Sequence, residues 1–184
     1  MADAILMHWR GLTITRKRAA QVGGLLVLLI LGTVLPYVTM EHYNARTELV
    51  RSTARLFGAG GLLNGMDPSY MPSYDVVVRS RMNLAFNVIG LAPGLQEIGT
   101  LVAAATCWGL FFDEINKFFW WPLHLSGYLL VVVPLPLFIG LYLLRANRVV
   151  VSAGPGWVPA VLAGLLVLVV TFRARSRIDS YGGI

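Results

Sequence analysis

The sequence predicts an all-α, polytopic integral membrane protein with about four transmembrane helices plus interfacial amphipathic helices, and three observations carry that expectation. Of the 184 residues, 57% are hydrophobic and 13% charged, against about 25% charged in a soluble domain. Uncharged apolar runs recur along the chain at about the 20-residue length that crosses a hydrocarbon core of roughly 30 Å. Basic residues gather at the flanks of these runs and toward both termini. The net charge of +6 therefore reads as membrane topology and not as a phosphate-binding face, so nucleic acid is not an expected partner. One cysteine, Cys107, and three histidines exclude an internal disulfide and leave little material for a multi-ligand metal site.

The chain reads as a single membrane domain, 1–184. Residues 1–18 form a basic segment in which Ile5, Leu6, Trp9 and Leu12 fall at helical spacing. An in-plane amphipathic helix and a frayed tail are the two readings. The first span covers 19–40, uncharged from Ala19 to Met40 behind Arg16, Lys17 and Arg18. Its length, with no clean small-residue cleavage site after it, favours a retained anchor over a cleaved signal peptide.

An outer-side segment, 41–94, follows. From Glu41 to Phe57 it holds helix formers without Pro or Gly, which predicts a helix that extends the first span or turns along the surface. Gly58, Gly60 and Gly61 end that helix, and Asn64-Gly65, Asp67-Pro68 and Pro72 mark turns. Residues 75–91 read as an interfacial helix in preference to a strand, which would need a partner edge.

The second span is 95–112, opening after Pro93-Gly94. The third is 118–144, with Pro134 and Pro136 kinking it. The fourth is 157–172, with Pro159 tolerated in the first turn, and a basic tail, 173–184, follows. Four spans with both ends inside match the basic flanks: Arg10, Arg16, Lys17, Arg18, Lys117, Arg173, Arg175 and Arg177 stand against Arg145 and Arg148. That orientation puts both termini on the cytoplasmic, matrix or stromal side of a bacterial plasma membrane or an organelle inner membrane.

Residues able to carry chemistry are few. His8, His42 and His124 are the candidates for a tetrapyrrole ligand, since a neutral imidazole is the usual axial ligand to haem; each also reads as an interfacial hydrogen-bonding residue. Glu97 is an ionisable group in an apolar stretch, a default functional hypothesis, although a carboxylate in the first turn after Pro93-Gly94 also suits a helix start. Asp113 and Glu114, followed by Lys117, read as a solvated turn and not as a metal site. Gly99, Ala103 and Cys107 fall at i, i+4 and i+8, and Ala160 and Gly164 repeat the pattern. Small residues at that spacing let a second helix backbone come close. Trp9, Phe118, Phe119, Trp120, Trp121 and Trp157 suit the headgroup belt. No phosphate-binding loop, zinc-protease, nucleophile-elbow or paired-cysteine motif occurs, and no inverted repeat marks a transporter.

Two functional classes follow. In the first, the chain is a non-catalytic accessory subunit of a larger integral-membrane complex, with respiratory or photosynthetic assemblies as natural hosts. It would then pack on other integral subunits and lipids, carrying no cofactor of its own but bordering quinone, haem or chlorophyll. In the second, it acts itself as a small transporter, channel or lipid-handling protein, through Glu97, the Pro134-Leu135-Pro136 kink, and Arg79 and Arg81.

Overall fold

The computed structural model describes residues 5–9, 12–43, 49–57, 76–111, 117–144 and 150–181. These are mostly helical, and three of the helices are long and apolar enough to cross a membrane: Arg16–Val34, Leu84–Phe111 and Phe119–Leu144. A shorter apolar helix covers Trp157–Arg173. In chain order the elements are β1 (Ile5–Trp9), β2 (Leu12–Thr15), α1 (Arg16–Val34), β3 (Pro36–Tyr43), β4 (Leu49–Arg55), α2 (Val76–Thr106), α3 (Lys117–Val132), α4 (Pro134–Leu144), β5 (Val150–Ala153) and α5 (Trp157–Tyr181). A 3-10 turn, Cys107–Phe111, prolongs α2.

The helices build a molecule of two storeys. In the lower one α1, α3, α5 and the second half of α2 enclose Val22, Leu25, Leu29, Ala103, Cys107, Leu110, Leu123, Leu130, Ala163 and Val167. In the upper one the first half of α2 pairs with α4, and a sheet packs on that pair. Its core is Tyr37, Val38, Leu56, Ala85, Phe86, Ile89, Ala92, Val133, Leu137 and Leu144. The sheet has the order β4-β3-β5, with β3 antiparallel to both neighbours: Thr39 stands opposite Thr53 and Ser152.

The sheet is the continuation of a helix pair. α1 runs into β3 through Leu35, β5 runs into α5 through Gly154, Pro155 and Gly156, and the backbone closes the join with Gly154 N–H to Tyr37 O and Gly156 N–H to Pro36 O, both 2.9 Å. Gly154 is obligatory there, because a Cβ would overlap the Pro36 carbonyl. Antiparallel helices thus become antiparallel strands without a crossing connection.

Several sequence expectations are corrected. The first helix ends at Val34 and not at Met40, because Pro36 has no N–H to offer the Gly32 carbonyl and pushes Leu35 into extended backbone. The helix expected from Glu41 to Phe57 is instead the hairpin β3–β4, whose apolar face is buried against α2 and α4. Neither reading of the N-terminus holds: Ile5–Trp9 and Leu12–Thr15 pair as a hairpin, and Thr15 caps α1 by accepting from the Arg18 N–H at 3.2 Å. Residues 76–91 are helical, but as the first half of α2, which runs through Pro93 without a break. The third apolar run is divided at Val133 into α3 and α4, at the expected Pro134. α5 starts at Trp157, as expected, and extends to Tyr181.

Candidate functional site

The two storeys meet at a polar junction made by residues far apart in sequence. Pro36 leaves the Gly32 carbonyl without its intrahelical donor, and the Gln96 side chain supplies one: Nε2 donates to Gly32 O at 3.2 Å and to Gly156 O at 3.3 Å. One amide therefore ties α2 to the end of α1 and the start of α5. Gly32 makes the approach possible, since a Cβ there would stand 3.2 Å from Nε2 and 3.4 Å from Gly156 O.

The other side of this junction is unsatisfied. Gln96 Oε1 and the Tyr37 hydroxyl are both fully buried and have no hydrogen-bond partner among the described residues. Ala85, Ile89, Ala92 and Gln96 lie on one stripe of α2, and the first three share the upper core with Tyr37. Burial, with the Glu97 carboxylate adding to it, pushes the Tyr37 phenol far above its ordinary range. Glu97 itself is partly buried, and the described residues place no cation against it.

A second polar cluster joins α3 to α5 in the lower storey. The Thr171 hydroxyl donates to Val167 O at 2.8 Å and meets His124 Nδ1 at 2.8 Å. Which of the two donates in the His124–Thr171 pair follows the imidazole tautomer. Trp120 Nε1 donates to Thr171 O at 3.0 Å, and the indole stacks on the His124 ring at 4.6 Å. Tyr128 and Phe172 close on His124 edge-on. His124 is thus a buried helix-to-helix tie.

The remaining predicted residues fall as follows. Gly99 lets α2 approach α3, where a Cβ would meet Leu130 at 3.0 Å. Ala103 and Cys107 are fully buried in the lower core with Ala160. Gly164 faces α3, where a Cβ would lie 2.8 Å from Gly127 O. Trp121 is 64% exposed and Phe119 partly so, while Trp120 turns inward. Trp157 packs edge-on against Phe138 at 5.3 Å. The side chains of His8, Trp9, His42, Arg79, Arg81 and Phe118, and residues 113 and 114 altogether, lie outside the described residues.

Sequence reasoning missed Tyr37, Gln96 and Gly140. The signals were present: Pro36 marks an orphan carbonyl four residues back, and Gln96 is an amide in an apolar run. Gly140 is where α4 touches α2, since a Cβ there would come within 2.9 Å of Ala85 O. Among the described residues no group of three His, Cys, Asp or Glu side chains gathers to hold a metal. Compared with known proteins, the chain matches no family model, no curated protein and no solved structure.

Proposed function

We propose that the chain is a non-catalytic accessory subunit of a larger integral-membrane complex, which it stabilises by helix packing and lipid contact. The observation that carries this reading is the mismatch in length between the storeys. α1 has 19 residues, about 28 Å of helix, which already fills a hydrocarbon core of roughly 30 Å. Gln96 lies level with the end of α1, yet α2 begins at Val76, so about 30 Å of helix extends past that level.

This upper length is apolar on its outside. On α4, Leu135, Phe138, Ile139 and Tyr142 are all exposed, and they fall at i, i+3, i+4 and i+7, the spacing by which one helix anchors on another protein. Leu84 and Leu91, seven residues apart on α2, are exposed as well. Where α1 sets the thickness of the hydrocarbon, lipid does not reach these side chains, and leaving them in water is unfavourable. A neighbouring subunit covers them.

In this reading the four helical segments of the lower storey cross a bacterial plasma membrane or an organelle inner membrane. Both termini then lie on the basic, cytoplasmic-type side. The sheet stands on the opposite side with Thr39, Glu41, Arg51 and Thr53 on its polar face. Energy-transducing assemblies remain the natural hosts. The second reading, a small transporter, channel or lipid-handling protein, draws on Glu97 and the unsatisfied junction beside it.

Native mass spectrometry of the tagged chain after mild detergent extraction tests the proposal. A hetero-oligomer of fixed stoichiometry is expected, and Ile139→Arg should release the chain from it while leaving its own thermal unfolding intact. A wild-type chain that runs alone or only as a homo-oligomer would overturn the reading.

A further inference from the structure

We propose that the hairpin β1–β2 lies in the headgroup layer of the membrane and, with Arg16, Lys17 and Arg173 at the same end of the lower storey, binds anionic phospholipid. The inference rests on the reading that the lower storey crosses a membrane, and is independent of the subunit reading.

Ile5, Leu6 and Met7 are three successive apolar side chains, each more than half exposed, so the described residues leave β1 uncovered. Such a run in water is unfavourable. β2 leads straight into α1, with Thr15 capping the helix, and Ile14 packs on the lower core. The hairpin is therefore held at the very end of the first span. Three contacts bring the neighbouring helix ends to that level: Arg18 Nη1 donates to Phe111 O at 3.2 Å, a Cβ on Gly109 would meet Phe119 at 2.7 Å, and Trp120 Nε1 donates to Thr171 O at 3.0 Å. The exposed rings of Trp108 and Trp121 stand in this band, together with the exposed Arg16, Lys17 and Arg173.

The chemistry selects the partner. Tryptophan and basic side chains at one level, beside an apolar strand, match the layer between hydrocarbon and water. A protein partner would select otherwise, since interface cores are depleted of lysine. The eight basic residues of this end stand in the sequence against Asp3, Asp113, Glu114 and Asp179, so the headgroup favoured is an anionic phosphodiester. Depth follows from the backbone. Among the described strands β1 pairs with β2 alone, and an open strand edge needs water or headgroups for its N–H and C=O groups. The hairpin therefore rests at headgroup level and does not enter the hydrocarbon.

The test uses the whole chain in vesicles of phosphatidylcholine mixed with phosphatidylglycerol. Leu6→Cys carries an environment-sensitive fluorophore, Cys107 being buried. A nitroxide placed near the lipid headgroup should quench it, and aqueous iodide or a nitroxide at the end of the acyl chain should quench it far less. In detergent with equal amounts of the two lipids, native mass spectrometry should find the wild-type chain retaining phosphatidylglycerol in preference. Each basic side chain near an anionic surface favours binding about fivefold, so Arg16→Gln with Lys17→Gln should lower that preference by about tenfold or more. A fluorophore reached by iodide, or reached by neither iodide nor the headgroup-level nitroxide, would overturn the placement. Equal retention of the two lipids, or an unchanged preference in the double variant, would overturn the headgroup. A chain that an alkaline wash strips from the vesicles would overturn the membrane reading itself, which separates the two failures.

Discussion

Both storeys bring helices together at glycines, Gly99 and Gly164 below and Gly140 above, but the upper storey adds side-chain burial beneath a sheet. Below, Gly99 and Gly164 let helix axes close until a side chain on one meets the backbone or branch point of another, and His124, Trp120 and Thr171 add hydrogen bonds across the seam. Above, Tyr37, Val38 and Leu56 from the sheet fill the groove between α2 and α4, and among the described residues the polar face of the sheet is joined by exposed pairs such as Thr39 with Thr53. Helices that share an apolar solvent gain nothing from hiding apolar area and rely on close packing. On the proposed placement the sheet lies beyond the hydrocarbon and gains from burial as any soluble element does.

The sharpest way to separate the storeys is to force each apart at its own glycine. Gly140→Leu drives a side chain into the Ala85 carbonyl and should cost about 3 kcal/mol. It should loosen α4 from α2 and leave Cys107, buried in the lower core, unreactive to maleimide. Gly164→Leu, placed against the Gly127 carbonyl, should cost as much and expose Cys107. Similar labelling of both variants would mean that the storeys unfold as one.

Gln96→Leu tests what couples them. It orphans the Gly32 carbonyl, which Pro36 cannot serve, at about 2 kcal/mol. Two unfolding steps are expected in place of one, read by differential scanning calorimetry. A single transition at the wild-type temperature would show that the amide carries no coupling.

High pH should act on the upper storey through Tyr37. The Tyr37 phenol is raised in the folded chain by burial and by Glu97, so its contribution is complete below the unfolded value near 10 and is lost as pH rises above it. Each pH unit beyond that point should remove about 1 kcal/mol. Tyr37→Phe should flatten the dependence, as followed by thermal unfolding from neutral to alkaline pH.

Legibility in the sequence divides along the same line. Apolar runs, the small-residue steps at Gly99 and Gly164, the start at Trp157 and the break at Pro134 are local signals, and they outline the lower storey. The upper storey depends on partners that no local window contains: β3 pairs with β5 across more than a hundred residues. The helix formers from Glu41 to Arg55 are overridden by that pairing and by burial against α2 and α4. Gln96 reads as a neutral neighbour of Glu97 until Pro36 and Gly32 are brought beside it.

Thr171→Val makes a smaller test within the lower storey. It keeps the shape of the side chain and removes the hydroxyl that His124 Nδ1 bonds to, for about 1 kcal/mol, with the His124 ring resonance in NMR reporting the lost bond. If that resonance and the stability are both unchanged, the tie between α3 and α5 lies in packing alone.

The smallest effect should come from the sheet's polar face. Arg51 reaches Glu41 at 3.5 Å with its side chain 70% exposed, and solvent-exposed pairs of this kind contribute only about 0.2–1 kcal/mol. Arg51→Ala should therefore change the unfolding temperature of the isolated chain by no more than a degree or two. If the proposed complex is obtained, the same substitution measured in it separates two roles. If stability of the complex falls well beyond that of the isolated chain, this face also touches a partner, and the covered surface of the upper storey extends from α4 onto the sheet. If the two changes agree, the face stands in water and the exposed stripe of α4 alone carries the contact.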